Sequence, residues 1–388
     1  MNHSWEKLSP SDGHYFFGYY DRNPWNPENT LHLALKAGQG ERLPQVGETA
    51  EVGVLEAATK AFHSLATTRA WCHQQGSMTL WLKHRPGHFV FNDYDTKERR
   101  LLARVCSVDK GVVGAYERPL YALSPDGRWG ASLSFARIPR RGYSYADATL
   151  DTSPADLDHD GVFLMDMLSG ESRLLASYRQ MFAIHPAAYT MEGKHSWLNH
   201  IIFNRDSSKL LFLLRHCEQP NRANPWPWFT HMYTVGLGGE DLSCPLPHFY
   251  WNGMISHQIW GRTPHEVLID ANWQGKGSEY VVFDERVLPL RAERVSRGMG
   301  TQGHLVFSPD GKSMLADTYP VENRQRLALV DCASGAWREL GSFRHEQPQD
   351  CSVDARCDLH PRWSADGSLV TVDSIDDGRR GVYLLPLH

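Results

Sequence analysis

Four histidines recur in one local setting. His200-Ile-Ile-Phe203, His257-Gln-Ile-Trp260, His304-Leu-Val-Phe307 and His360-Pro-Arg-Trp363 each place a histidine three residues ahead of a large aromatic residue. A neutral imidazole ligates first-row divalent cations, and it exchanges protons near neutral pH. Four imidazoles brought to one ring would suit Mn²⁺, Fe²⁺, Zn²⁺ or a similar ion. Singly, each reads as readily as a structural histidine at a strand end, but a ring of four like polar groups calls for an occupant. Gln302 lies two residues before His304. On a strand that is the same face, so it adds an amide oxygen.

The same frame occurs three more times without histidine. It starts at Arg22 (leading to Trp25), Met78 (to Trp81) and Leu120 (to Leu123, then Ser-Pro-Asp126-Gly127). Asp-Gly or a similar turn signal usually follows, and then a short apolar segment such as Lys209-Leu-Leu-Phe-Leu-Leu-Arg215 or Ser313-Met-Leu-Ala-Asp317. That is the signature of a hairpin. A third strand often follows, as in Gly161-Val-Phe-Leu-Met-Asp166 and Leu327-Ala-Leu-Val-Asp331. Starts are spaced from 42 residues (Met78 to Leu120) to 80 (Leu120 to His200). Four strands with their turns fit such a period, as in propeller blades. We therefore expect an all-β protein, a seven-bladed β-propeller of four-stranded antiparallel blades. It would fill residues 1–388 as a single domain, with inner strands starting near 22, 78, 120, 200, 257, 304 and 360. The last blade lacks an outer strand in sequence, which the segment before Arg22 would supply. Residues 137–160, rich in Arg, Tyr and Asp, form an inserted loop in the longest interval.

Inner strands line a propeller's channel side by side, so equivalent frame positions share one ring. Arg22 would stand in that ring, where its guanidinium could grip a carboxylate or simply pair with Asp21. Tyr19 and Tyr20 read as core or as a sugar-stacking platform. Gln74 and Gln75, just ahead of the Met78 frame, suit hydroxyl recognition or turn closure. Arg215-His216, Asp317-Thr-Tyr319 and Asp373 end second strands, where they would orient the histidines, meet substrate or face solvent. Arg356 and Asp358 alternate into the last frame as substrate contacts or an ion-pair ladder.

Composition narrows the classes further. Hydrophobic residues make up 41 %, and 32 Gly and 22 Pro suit many short strands. A net charge of −5 leaves no basic footprint for nucleic acid. No apolar run approaches the roughly 20 residues of a membrane span. The N-terminus has no secretory apolar core, and seven cysteines without a CxxC pair give neither a zinc knuckle nor a disulfide framework. A reducing cytoplasm is the expected compartment. No GxSxG elbow, P-loop, strand-borne GxGxxG or HExxH is present, so serine hydrolase, kinase and dinucleotide chemistry lack support.

From residue 197 onward the chain resembles the oligogalacturonate lyase family of seven-bladed propellers. Leu198-Asn-His200, with Leu214-Arg-His216 after it, resembles the family's segment with its proposed base. Ser256-His257-Gln-Ile-Trp260 resembles its Thr-His-Glu-Phe-Trp metal-ligand segment, and Gly303-His304-Leu-Val-Phe with Gln302 resembles its second ligand cluster. The Phe17-Gly-Tyr-Tyr-Asp-Arg22 and His73-Gln-Gln-Gly76 segments depart from that pattern, and His360 lies beyond it. The resemblance implies a metal-dependent lyase that cleaves a small uronate-containing oligosaccharide by β-elimination. His257, Gln302, His304 and His360 would hold a divalent cation, Mn²⁺ first, with Zn²⁺, Fe²⁺ or Ca²⁺ as alternatives. His200 would be the base and Arg22 the carboxylate clamp. Tyr20, Gln74, Gln75, Arg215, Tyr319 and Arg356 would contact substrate. Other readings are a glycosidase, disfavoured because the ring lacks two carboxylates, and a sugar- or protein-binding propeller.

Overall fold

The computed structural model describes residues 5–185, 191–220, 228–246, 255–271, 279–287, 291–295, 303–348 and 353–387. Gln302 lies outside them. The strands form seven antiparallel sheets arranged as the blades of a propeller. Blades 1 to 6 run outward in chain order. Blade 6, for example, comprises Leu305–Phe307, Ser313–Asp317, Arg324–Asp331 and Trp337–Arg344. Among the described residues blade 4 has three strands, His195–Phe203, Lys209–Cys217 and Trp228–Gly236, and a bridge from Thr234 to Ser243 begins its outer edge. The chain ends on Gly381–Pro386, and Glu6–Lys7 pairs with that strand as the outer edge of blade 7. The N-terminal segment thus closes the ring, as its place before the first frame suggests.

The repeated aromatic has a physical reason. The indole N–H of Trp81 donates to Pro24 O (2.8 Å), that of Trp260 to Ile202 O (2.9 Å) and that of Trp363 to Val306 O (3.3 Å). Each acceptor is the residue before the frame aromatic of the preceding blade. One large ring therefore fills the wedge between blades and satisfies a buried carbonyl. The turns repeat as closely. Ser124, Ser308 and Ser364 each donate to the Asp two residues on, and Gly127, Gly311 and Gly367 follow with φ of 76, 71 and 75°.

Blade 1 departs from expectation. Its innermost strand is His14–Phe16, not a strand starting at Arg22. The chain then leaves the sheet and returns at Trp25, which bridges to His32. Gly18, at φ 128°, makes this excursion. A Cβ there would lie 2.6 Å from the Gln75 carbonyl carbon, and a Cβ on Gly76 would lie 2.3 Å from Phe17 O. Two backbones cross where only glycines fit. Asp373 anchors the crossing by accepting from Phe17 N and Gly18 N, and Arg362 binds the same carboxylate. Tyr19 and Tyr20 are thereby delivered into the channel.

A buried histidine cluster in the channel

Local backbone geometry turns the frame residue inward. The register of blade 4 slips between Asn199 and Ile202, and that of blade 5 between Ser256 and Ile259. His200, His257 and His360 have φ of 52, 54 and 44°, and Met78 sits at 55° in the equivalent place. These are left-handed conformations at bulges, which re-aim a side chain at some cost in strain. Side chains of the same or the neighbouring blade accept from the amides this leaves free. Asn92 accepts from Leu120 N (2.8 Å), Tyr121 Oη from His200 N (2.9 Å), and Asp317 from both His304 N (2.6 Å) and His360 N (3.1 Å).

Three of the histidines pack as a row. Ring centroids are 4.5 Å apart for His257 and His304, and 4.2 Å for His304 and His360. His200 stands across Tyr19, whose ring lies 5.1 Å from it, 5.6 Å from His304 and 4.9 Å from His360. Tyr20 lies 5.0 Å from His304. All four histidines are buried. Burial is the first cause that pushes His200, His257 and His360 below the ordinary imidazole value. Arg215 adds to the effect at His200, and the close approach of the His304 imidazole adds to it at His257 and His360. They are neutral at pH 7, with lone pairs available to a proton or a cation.

The ring nitrogens differ in what they face. His304 Nδ1 lies 3.1 and 3.2 Å from the two Asp317 oxygens, so its proton sits there and Nε2 is left as the acceptor. His360 Nε2 and His200 Nδ1 have no hydrogen-bond partner among the described residues. His200 Nε2 meets Tyr19 Oη at 3.3 Å, and His257 Nε2 meets Tyr319 Oη at 3.0 Å. Ligand atoms of His304, Asp358 and His360 all lie within 4.8 Å of one another. Arg356 grips both Asp358 oxygens at 2.6 and 2.9 Å. Burial works against ionisation of Asp358, but the guanidinium charge overcomes it and holds this carboxyl below the usual range.

A cationic, aromatic rim surrounds the cluster. The inserted loop carries Tyr143 to 5.7 Å from the His200 ring and Arg140 to Asp354 at 2.5 Å. Arg356 stacks 4.5 Å over Tyr319. Arg215 lies 5.9 Å from the Trp228 ring; no carboxylate among the described residues pairs with it, and its Nε has no hydrogen-bond partner. Burial lowers its pKa, as does the like charge of Arg140.

The residues singled out from sequence divide accordingly. His200, His257, His304, His360, Tyr20, Tyr319, Arg215 and Arg356 gather at the cluster. Arg22 turns to Asp21 (3.2 Å) and to Gln75 O (3.4 Å). Gln74 donates to Arg356 O (2.9 Å) and Gln75 to Tyr121 Oη (3.0 Å), so both amide nitrogens are used within the protein. His216 points away from Arg215 and stacks on His231, 5.2 Å off. Sequence reasoning gave Asp358 no ligand role. It stands two residues before His360, as Gln302 stands before His304, and the same alternation argument finds it.

No family model matches this chain, and no curated protein matches it either. Solved structures share its fold. An oligogalacturonate lyase in complex with manganese is 14 % identical with a TM-score of 0.64, covering 100 % of this chain and 97 % of that one. The oligogalacturonate lyase of Vibrio parahaemolyticus is 14 % identical with a TM-score of 0.59, covering 100 % and 98 %. The tricorn protease is 10 % identical with a TM-score of 0.55, covering 97 % of this chain and 34 % of that one. The architecture is therefore shared by proteins of different activity and does not select a reaction.

Proposed function

We propose that this propeller is a metal-dependent carbon–oxygen lyase that cleaves uronate-containing oligosaccharides by β-elimination. The observation that carries the reading is the juxtaposition of His304, Asp358 and His360, their ligand atoms within 4.8 Å, with neutral His200 and with Arg215, which has no carboxylate partner among the described residues. Two imidazoles and a carboxylate suit a first-row divalent cation, Mn²⁺ first among them. His360 Nε2 is a buried ring nitrogen with no hydrogen-bond partner among the described residues. With Nδ1–H donating to Asp317, His304 Nε2 is free to face the cation. When bound, the cation supplies positive charge beside the uronate carboxylate, which makes the C5 proton acidic.

The chain's own residues supply the rest. Arg215, without a carboxylate partner among the described residues, pairs with the substrate carboxylate. His200, neutral at working pH, takes the C5 proton. Trp228 and Tyr143 give the sugar rings apolar faces. The reading favours the cytoplasm, where short oligouronides would be consumed. The test is incubation with oligouronides and detection of an ultraviolet-absorbing unsaturated uronide. Saturated products would point to hydrolysis, and no product would favour a second reading, a sugar-binding propeller. That reading draws support from Tyr19 and Tyr20, whose buried rings fill the space between the histidines, with Tyr19 Oη on His200 Nε2 at 3.3 Å.

A further inference from the structure

The four histidines do not face the same kind of neighbour. His304 and His360 share their surroundings with a carboxylate, Asp358, whereas His257 Nε2 meets a phenol, Tyr319 Oη, at 3.0 Å. His257 Nδ1 also faces a carboxylate, Asp270, at 3.9 Å, within ion-pair range but longer than a hydrogen bond. Tyr319 differs from the other tyrosines of the cluster. Tyr19 and Tyr20 are 2 % and 1 % exposed and Tyr143 9 %, while Tyr319 is only partly buried. It follows the second strand of blade 6 by two residues, and Arg356 covers one face of its ring at 4.5 Å. Burial and the nearby Asp358 charge push this phenol up, with Arg356 offsetting part of the effect, so it stays protonated at working pH. Held at its oxygen by an imidazole and at its face by a guanidinium, it is placed to give that proton only to a strongly basic oxygen such as a departing alkoxide.

We propose that Tyr319 is the proton donor to the departing oxygen and that His257 is its positioning residue rather than a metal ligand. This rests on the elimination reading above. With its proton on Nε2, His257 donates to Tyr319 Oη and leaves the phenolic proton for the substrate. The C5–H bond breaks as His200 takes the proton, the C4=C5 double bond forms, and the C4–O bond breaks. The leaving oxygen gains the proton of Tyr319. The phenolate, faced by Arg356, recovers a proton from water, and protonated His200 returns one to water.

The experiment compares wild type, Tyr319→Phe, His257→Asn and His304→Ala, each supplied with Mn²⁺. Bound metal is measured by elemental analysis and turnover on two probes. One is a uronic-acid disaccharide and the other a uronate bearing a 4-O-nitrophenyl group, which leaves without needing a proton. Tyr319→Phe should keep the wild-type metal content and KM. Its kcat on the disaccharide should fall about 100-fold or more, and the nitrophenyl probe should be turned over at near the wild-type rate. His257→Asn should behave alike, and His304→Ala should lose metal. Full disaccharide turnover by Tyr319→Phe, or metal loss in His257→Asn equal to that in His304→Ala, overturns the assignment while leaving elimination intact. Absence of unsaturated product from wild type on both probes overturns the elimination reading and this inference with it.

Discussion

Replacing Asp317 by asparagine tests whether one buried carboxylate builds both halves of the proposed metal pair. Asp317 is fully enclosed. It accepts from His304 N (2.6 Å) and His360 N (3.1 Å), and it faces His304 Nδ1 at 3.1 and 3.2 Å. Asparagine has nearly the same shape but one acceptor oxygen, and its NH₂ must point at a donor. One or two buried N–H groups then lose their acceptor, at about 1–3 kcal/mol each. The expected loss of stability is about 2–4 kcal/mol, read as a lower urea midpoint in chelator, so that metal does not contribute. The Nδ1 proton of His304 also loses its fixed partner, so Nε2 is no longer held as the acceptor. Affinity for Mn²⁺, measured by titration of the apo protein, should fall roughly 10–100-fold. A variant with wild-type urea midpoint and wild-type Mn²⁺ affinity would refute the argument. A loss of stability with unchanged affinity would confine Asp317 to the backbone.

Three further outcomes follow from the same geometry. Because His200 is held below its unfolded-state value of about 6.5, the unfolded chain takes up a proton at acid pH that the folded chain refuses. Its share of stability is complete above about pH 7.5 and is lost as pH falls below 6.5; in the metal-free protein, His200→Asn should flatten the stability–pH slope there by up to about 1.4 kcal/mol per pH unit, and an unchanged slope would contradict this. Arg362→Met leaves buried Asp373 without its guanidinium at the joint between blades 7 and 1, and should cost about 3–5 kcal/mol in a denaturation midpoint. Trp260→Phe removes the indole donor to Ile202 O and should cost about 1–2 kcal/mol; a neutral result would show that the frame aromatic acts through packing alone.

Much of the fold was legible because its repeat is chemical. The Ser-Pro-Asp-Gly turns and the aromatic ending each frame recur for local reasons, a tight turn and a carbonyl to satisfy between blades. The histidine ring was legible because four frames share one residue type at one position. Three features were not. Arg22 fits the frame by spacing, but a crossing of Gly18 over Gly76 takes the chain out of the sheet, and no periodicity reports such a close approach. Tyr143 and Arg140 come from an insertion outside the repeat. Tyr19 holds His200 through a contact 181 residues apart in the chain. Asp358 was within reach, since its position two residues before His360 obeys the alternation already applied to Gln302.

Elemental mass spectrometry of the purified protein, with His360→Ala alongside, tests the central claim most directly. The account predicts about one equivalent of a divalent first-row metal after equilibration with Mn²⁺, and its loss in the variant while circular dichroism still reports a folded propeller. No bound metal in the wild-type protein, or equal retention by His360→Ala, would contradict it.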